Sequence, residues 1–123
     1  VVLQFPMYWY STPALLKQWE DDVLLYGWAY GSTGNALAGK ELLVAVSTGG
    51  AGDAYSRESS YGCTITELLR PLQATANMVQ MTYLEPFTTT GTLTITDEAL
   101  AQRVEDYAAT LASKDLPVLE PHG

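Results

Sequence analysis

The chain opens with a short apolar segment, residues 1–5, that leads almost directly into the aromatic residues Tyr8, Trp9 and Tyr10. A nearly continuous apolar run of this length is typical of a parallel β-strand that is covered on both faces. In open α/β sheets, ligands bind at the carboxyl ends of the strands. The three aromatic residues therefore indicate a site for a flat, partly apolar ligand. On composition alone, an ordinary place in a core or an interface is the more frequent one for such residues.

Two further segments have the composition of strands. Residues 42–46 form a second apolar run, and they lead into the glycine-rich turn of residues 47–52, where the backbone can approach a ligand closely. Without other information, such a turn is as often a plain connection between a strand and a helix. Residues 82–85 are a weaker strand candidate, which ends at Pro86.

Helical spacing of apolar residues predicts three helices between and after these strands. The first has Thr12 as its N-cap and Pro13 as its first helical residue. The second spans residues 65–78, opens with a capping box and is kinked at Pro71. The third opens at Thr96. The predicted stripes are Leu16, Trp19, Val23 and Tyr26 in the first helix, of which the first three are expected in the core, and Leu100, Val104, Tyr107 and Leu111 in the third.

Strands and helices thus alternate, which predicts an α/β fold with a parallel sheet and helices on both faces. Residues 1–5 have the composition of a central strand, which needs hydrogen-bonding neighbours on both sides. Three predicted strands form only a thin sheet. We therefore expect residues 1–114 to be the C-terminal portion of a larger domain, in the order βαβαβα, and residues 115–123 to be a tail.

The charged and metal-binding residues exclude several classes of function. Six Lys and Arg against fourteen Asp and Glu give a net charge of −8, which leaves no broad basic surface for nucleic acid. With one cysteine, Cys63, and one histidine, His122, we expect no internal disulfide, no metal site and no Ser-His-Asp triad. No apolar run approaches the roughly 20 residues that span a bilayer, and we expect a cytoplasmic protein.

Four segments together resemble the flavodoxin-like NAD(P)H:quinone oxidoreductases. In chain order they are QFPMYWYSTPALLKQWEDDVL at residues 4–24, GWAYG at 27–31, STGGAGDAY at 47–55 and RPLQATANMVQMTYLEPF at 70–87. The likeness is greatest to the bacterial branch that includes the ancillary subunits of glutathione-regulated potassium-efflux systems. It extends from residue 1 to about residue 112 and implies the flavodoxin-like fold.

This resemblance implies a flavin cofactor, FMN or FAD, with NAD(P)H as the electron donor. Backbone N–H groups after the first strand are implied to bond the polar edge of the flavin ring, and small residues after the second strand to leave room for it. The implied flavin contacts are Pro6, Met7, Tyr8, Trp9 and Tyr10 in the first loop, and Thr48, Gly49, Gly50 and Tyr55 in the second.

The implied catalytic residues are Tyr55 and Tyr61. In the family, the first of these positions is a tyrosine that hydrogen-bonds near the flavin and helps to accommodate charge, and the second is often a histidine. A phenol, with an ordinary pKa of about 10, donates a hydrogen bond at neutral pH but does not accept a proton as imidazole does. Trp9 and Tyr30 are implied to line the substrate pocket, in a family whose sites lie at a homodimer interface.

The function implied by the resemblance is the reduction of a quinone, or of a similar flat electrophile, by NAD(P)H through the flavin. Two alternatives stay open: an ancillary subunit of a potassium-efflux antiporter, at the inner face of the membrane, and a chain without activity of its own. The family's phosphate-binding loop has no counterpart in these residues. By themselves, we expect them to bind flavin weakly or not at all and to associate through an exposed sheet edge.

Overall fold

Strands and helices alternate in the computed structural model of the chain, which describes residues 1–120. Within those residues, no helix combines the length and the apolar composition that crossing a membrane requires. The end of the predicted tail, residues 121–123 with His122, lies outside the described residues. The elements are β1 (Val2–Pro6), α1 (Ala14–Val23), β2 (Glu41–Ser47), a 3₁₀ turn (Gly52–Ala54), α2 (Ile65–Leu68), α3 (Arg70–Met78), β3 (Thr82–Tyr83), β4 (Phe87–Thr89) and α4 (Asp97–Ala112).

The strand β2 is the centre of the sheet. On one side it pairs in parallel with β1, from Val2 opposite Leu43 to Pro6 opposite Ser47. On the other side its two ends pair in parallel with β3 and β4. Residues 42–46 are all buried, because this strand has neighbours at both edges and helices over both faces. The predicted parallel sheet with helices on both faces is confirmed.

Within residues 1–120 the strand β1 lies at an edge of the sheet, and its expected central place in a larger domain stays a prediction. Among the described strands, β1 pairs with β2 alone. Side chains alternate between the two faces of a strand, and Phe5 is buried on the face that carries the main core. Val2, Gln4 and Pro6 point to the other face and are exposed.

The third strand candidate is divided into two short strands. Thr82 and Tyr83 form β3, which is shorter than predicted, and β4 is an element that the sequence analysis missed. The reason is Pro86, which has no N–H to donate to a ladder. Pairing with β2 resumes at Phe87, where an aromatic residue is followed by β-branched threonines.

Part of the predicted tail packs against β3. Leu119 donates its N–H to the Tyr83 carbonyl oxygen at 3.0 Å, and the Pro117 carbonyl accepts from Glu85 N–H at 2.8 Å. Leu119 is half-buried against the core. Residues 117–119 thus cover the outer edge of the third strand, where exposed backbone groups would otherwise be open to other chains.

Helix α1 begins one residue later than predicted. Pro13 has an extended backbone, with ψ of 149°, so it is the N-cap and Thr12 does not cap the helix. The helix ends at Val23, because Leu24 has left the helical region with ψ of 70°, and Tyr26 lies in the following loop.

The apolar face of α1 is less buried than its spacing predicts. Leu16 packs against the core and is half-buried, as is Val23. Trp19 was expected in the core, and that prediction is wrong, since it is 43% exposed. The indole borders an apolar cleft of ≈ 170 Å³ whose other walls are α3, β1 and β2. Trp19 and α3 therefore lie on different walls of this cleft.

Residues 65–78 are helical with the predicted capping box, but they form two helices separated at Leu69 where a single helix kinked at Pro71 was predicted. The Thr64 hydroxyl accepts from Glu67 N–H at 3.1 Å, and the Glu67 carboxylate accepts from Thr64 N–H at 3.2 Å. The helix breaks at Leu69, and Pro71 is the second residue of α3. At that position the missing N–H of proline breaks no helical hydrogen bond.

Helix α4 opens as predicted, with the Thr96 hydroxyl accepting from Ala99 N–H at 3.1 Å. Its contact with the sheet is made by Tyr107, whose ring lies 5.0 Å from that of Phe87, and by Arg103, whose guanidinium lies 4.0 Å from the same ring. Of the predicted apolar stripe, only Tyr107 therefore lies on the face of α4 that contacts the sheet. The apolar residues that stay exposed are Leu100, Val104 and Leu111, at 45%, 62% and 50%.

Tyr83 carries a buried phenol that makes the stability of the chain sensitive to alkaline pH. The residue is 4% exposed, and its hydroxyl has no hydrogen-bond partner among the described residues. Burial raises the pKa of the phenol to about 12, although the charge of Arg70 opposes the shift. In the unfolded chain the phenol ionises near its ordinary pKa of about 10. The protonated phenol therefore leaves the free energy of unfolding undiminished below about pH 10. That free energy falls by about 2–3 kcal/mol as the pH rises from about 10 through about 12.

We expect Tyr83→Phe to remove this alkaline loss. At neutral pH the variant should be more stable by about 1–2 kcal/mol, because a buried hydroxyl without a partner is removed. Urea unfolding at about pH 7 and about pH 11 measures both effects. The control is Tyr26→Phe, because Tyr26 is 69% exposed and should change neither value. An alkaline loss of the same size in wild type and Tyr83→Phe would contradict the expectation.

Candidate ligand-binding site

The loops that follow β1 and β2 lie side by side at the carboxyl edge of the sheet. The two strands stay paired to their ends, where Pro6 is opposite Ser47. Met7 then donates its N–H to the Ser47 carbonyl at 2.8 Å. The structure therefore brings together the two groups of residues that the sequence analysis selected, 6–10 and 48–55.

Residues 8–11 form a tight turn with unusual side chains. Tyr8 and Ser11 exchange two backbone hydrogen bonds of 3.0 Å. Trp9 and Tyr10 lie between them with φ of 47° and 62°. Two successive positive φ angles define a type I′ turn, which normally carries Asn-Gly. A non-glycine residue held there costs about 1–3 kcal/mol, and such strain is concentrated at functional sites.

Replacing the strained pair by Asn-Gly is expected to stabilise the chain. Trp9→Asn combined with Tyr10→Gly should raise the free energy of unfolding by about 1–2 kcal/mol, because the turn conformation stays and the strain is removed. Urea unfolding measures the change. Trp28→Asn is the control, since Trp28 is also exposed, at 46%, but is not among the residues with positive φ. A double variant that is no more stable than wild type would count against strain in the turn.

The glycine turn after β2 is fixed from two directions. Thr48 is 2% exposed, and its hydroxyl donates to the Gly50 carbonyl at 3.0 Å. The end of β4 and the loop after it supply the rest: Thr48 N–H donates to Thr89 O at 2.9 Å, Gly91 N–H to Gly50 O at 2.8 Å, and Thr92 N–H to Thr48 O at 3.0 Å. The sequence analysis missed residues 89–92. The available signal was that a third parallel strand must end at the same edge of the sheet.

Three tyrosines from the two loops pack edge to face. The ring of Tyr61 lies 5.3 Å from that of Tyr10 and 5.2 Å from that of Tyr55, at angles of 71° and 70°. The pKa of Tyr10 lies above its ordinary value, first because its surroundings partly desolvate the phenol, and second because of its electrostatic interaction with Tyr61 and Tyr55. Tyr10 is therefore a hydrogen-bond donor throughout the neutral pH range.

Gly49 and Gly50 leave room for side chains of the protein itself. A Cβ atom at residue 50 would lie 3.2 Å from the Tyr61 hydroxyl oxygen and 3.5 Å from that of Tyr55. A Cβ atom at residue 49 would lie 3.3 Å from Cγ of Leu93. The turn is thus closely covered at both glycines, and only a small residue fits without displacing a neighbour.

Several backbone N–H groups at this edge have no partner within the described residues, and those of four residues lie in the two predicted loops beside the aromatic cluster. Those of Trp9, Tyr10, Gly49 and Gly50 donate to no residue within 1–120. The Trp9 side chain beside them is 92% exposed. Backbone donors are strong hydrogen-bonding groups, and unpaired ones are completed by water or by a ligand. The combination of donors and aromatic rings suits a flat molecule with acceptor atoms along its edge, as a flavin ring is.

Tyr30 does not join this cluster. Its ring packs against Tyr26 at 5.6 Å, in the loop after α1. It borders a groove between α1 and α3, together with Lys17 and Met78. Within the described residues, the structure brings the predicted loop residues together and leaves Tyr30 apart.

Curated relatives match almost the whole chain. The uncharacterized NAD(P)H oxidoreductase YrkL of Bacillus subtilis is 54% identical over 110 residues, which are 87% of this chain and 63% of the relative. The glutathione-regulated potassium-efflux system ancillary protein KefF of an Enterobacter species is 45% identical over 111 residues, 90% of this chain and 62% of the relative. The chain thus spans about six tenths of the length of these relatives.

Solved structures match the fold with high similarity. An NADPH-quinone reductase from P. pentosaceus has a TM-score of 0.84 at 40% identity and covers 93% of this chain and 67% of that one. General stress protein 14 of Treponema denticola, in complex with FMN, has a TM-score of 0.80 at 45% identity, with 89% and 63% covered. A protein described as a tryptophan halogenase, from Streptomycin violaceusniger, has a TM-score of 0.90 at 48% identity, with 93% and 66% covered.

The family model described as the flavodoxin-like fold matches residues 1–111. This range contains both loops of the site and every strand of the sheet. The family predicted from the four sequence segments is confirmed, and the chain belongs to the flavodoxin-like family that includes these NAD(P)H oxidoreductases and quinone reductases.

Proposed function

We propose that the chain belongs to an NAD(P)H-dependent oxidoreductase that binds FMN at this site and reduces quinones. The observation that carries the proposal is the convergence of two loops with unpaired backbone N–H groups, those of Trp9, Tyr10, Gly49 and Gly50 among them, beside three phenols. The names of the relatives support the reaction. The FMN complex of the Treponema denticola protein favours FMN over FAD.

The residues of the first loop have distinct parts in this proposal. Trp9 and Tyr10 N–H donate to acceptor atoms along one edge of the flavin ring, and the rings of both residues supply apolar contact. Tyr8 closes the turn that presents these donors, through its two hydrogen bonds to Ser11. Pro6 and Met7 continue the strand into the loop and set its position against β2.

The second loop supplies the other edge of the proposed site. Gly49 and Gly50 N–H donate to the ring, and Thr48 fixes their orientation through its hydroxyl. Bound FMN would supply the hydride-transfer chemistry between NAD(P)H and the quinone. The protein excludes water from the apolar side of the site and holds both reactants in position.

Tyr55 and Tyr61 are the proposed catalytic residues. Their rings pack together at 5.2 Å beside Gly50, so both phenols can donate a hydrogen bond to one acceptor oxygen. Donors placed where negative charge develops on the quinone oxygen stabilise the transition state. No residue in this pair acts as the proton acceptor that a histidine would be at neutral pH.

We also propose that the protein is a homodimer in which Tyr30 of one copy lines the substrate pocket of the other, beside Trp9. The support is that Tyr30 stands apart from the cluster of its own protomer while Trp9 is 92% exposed. Light scattering on the purified protein, with and without FMN, measures the oligomeric state. A monomer in both conditions would refute this arrangement.

Reduction of a quinone in the presence of FMN tests the proposed function. NADPH oxidation should depend on added 1,4-benzoquinone, and Tyr55→Phe combined with Tyr61→Phe should lower kcat by at least about tenfold. Incubation with tryptophan and chloride should give no chlorinated product, which separates the proposal from the activity in the name of the Streptomycin violaceusniger protein. Absence of quinone-dependent NADPH oxidation at saturating FMN by the whole protein to which the chain belongs would overturn the proposal.

The second candidate function is that of an ancillary subunit on a potassium-efflux antiporter. Its support is the 45% identity to the ancillary protein KefF. Co-purification of the chain with a potassium-efflux antiporter, compared with quinone reduction by the chain alone, distinguishes the two functions.

A further inference from the structure

Leu93 is an exposed leucine in a loop whose backbone is hydrogen-bonded to the glycine turn. Its loop is fixed by two hydrogen bonds to the turn, from Gly91 to Gly50 and from Thr92 to Thr48, and is closed by Thr94 N–H donating to Gly91 O at 3.1 Å. The Leu93 side chain is nevertheless 85% exposed. An isolated surface leucine is ordinary in folded proteins, but one anchored at a ligand site is available to the ligand.

The Leu93 side chain lies beside the turn at Gly49. From the position of a Cβ atom at Gly49, the Leu93 Cγ, Cδ1 and Cδ2 atoms lie 3.3, 3.4 and 3.9 Å away. The next residue, Gly50, is covered by the phenols of Tyr61 and Tyr55. Within two residues, the same turn therefore has an apolar neighbour and a hydrogen-bonding neighbour.

We propose that Leu93 determines the specificity of the acceptor site and favours quinones that carry an alkyl substituent. This inference rests on the proposed quinone reductase function. A quinone offers carbonyl oxygens, to which Tyr55 and Tyr61 donate, and its alkyl group lies against the exposed surface of Leu93. Removing that surface and the alkyl group from water is favourable, whereas an unsubstituted quinone gains nothing from Leu93.

The test compares two quinones in each variant, with FMN at saturation. The measured quantity is kcat/KM for tert-butyl-1,4-benzoquinone divided by kcat/KM for 1,4-benzoquinone, so that the intrinsic reactivity of each quinone cancels between variants. We expect Leu93→Ala to lower this ratio by about three- to tenfold, since one to two methylene-sized contacts are lost. Leu93→Met should restore most of it. Leu15→Ala is the matched control, because Leu15 is 81% exposed on α1.

The outcomes separate this inference from the function on which it rests. A wild type that reduces neither quinone would overturn both. A wild type that reduces both, with the same ratio in Leu93→Ala, would overturn the role of Leu93 alone. An equal fall of both kcat/KM values in Leu93→Ala would show that Leu93 only supports the turn, and this also contradicts the proposal. If Leu15→Ala lowered the ratio as much as Leu93→Ala, the effect would not be specific to Leu93, and the proposal would be contradicted.

Discussion

The Gly50→Leu variant is expected to keep its fold and to lose FMN binding by about 30- to 100-fold. The backbone at Gly50 accepts an L-residue, because it is not among the glycines with positive φ. A side chain there must either occupy the space beside the turn or push the phenols of Tyr61 and Tyr55 aside, since its Cβ would start 3.2 Å from the Tyr61 hydroxyl. Either outcome removes about two backbone hydrogen bonds to the ligand, worth about 2–3 kcal/mol together.

FMN titration followed by the amide signals of Trp9 and Tyr10 measures this loss, and far-UV circular dichroism checks the fold. Ala74→Leu is the control, because Ala74 is an exposed residue of α3 and the same leucine there should leave FMN binding unchanged. Gly50→Leu with wild-type affinity for FMN would mean that the flavin does not approach this turn.

Gly34→Ala is expected to destabilise the chain by about 3–5 kcal/mol, through a backbone collision rather than a lost contact. A Cβ atom at Gly34 would lie 2.0 Å from the carbonyl oxygen of Tyr30 and 2.6 Å from its carbonyl carbon. No side-chain rotation relieves such an overlap, so the loop must open. Ala29, in the same loop, is fully buried in the main core, and the opening therefore exposes part of that core.

Gly39→Ala provides the comparison for this prediction. Gly39 has φ of 80°, but nothing lies within 4 Å of its Cβ position. Its substitution should cost only the left-handed conformation, about 1–2 kcal/mol. Urea unfolding of both variants gives the difference. Equal destabilisation by Gly34→Ala and Gly39→Ala would show that the Tyr30 backbone moves aside without cost.

Features that depend on neighbouring residues were predictable from the sequence. The capping box of Thr64 and Glu67 is a property of four consecutive residues, and it forms as expected. The break before α3 likewise follows from Pro71. The apolar run of residues 42–46 became the central strand because every residue in it is suited to burial on either face.

Features that depend on distant residues were not predictable. Trp19 has the right spacing for a core residue, but only the packing of α3 decides whether the indole is covered. The stripe of α4 is equally regular, yet Arg103 and Tyr107 contact Phe87 and turn Val104 to solvent. Periodicity identifies an apolar face, whereas its partner is set by the tertiary fold.

The candidate site shows the same division. The aromatic cluster and the glycine-rich turn were noticed because each follows a predicted strand, and the individual contacts at residues 6–10, 48–50 and 55 were implied by the resemblance to the family. The unpaired donors of Trp9 and Gly49 were not identified from the sequence, because they depend on which hydrogen bonds the folded loops leave open. The position of Leu93 over Gly49 depends on a turn held by residues more than forty positions away in sequence.

The most direct test of the proposed site is an amide chemical-shift titration of the chain with FMN, which detects binding even when it is weak. The account predicts saturable shifts of the backbone amides of Trp9, Tyr10, Gly49 and Gly50, with smaller changes at the apolar cleft beside Trp19. No saturable change at these four amides, or shifts confined to the Trp19 cleft, would contradict it.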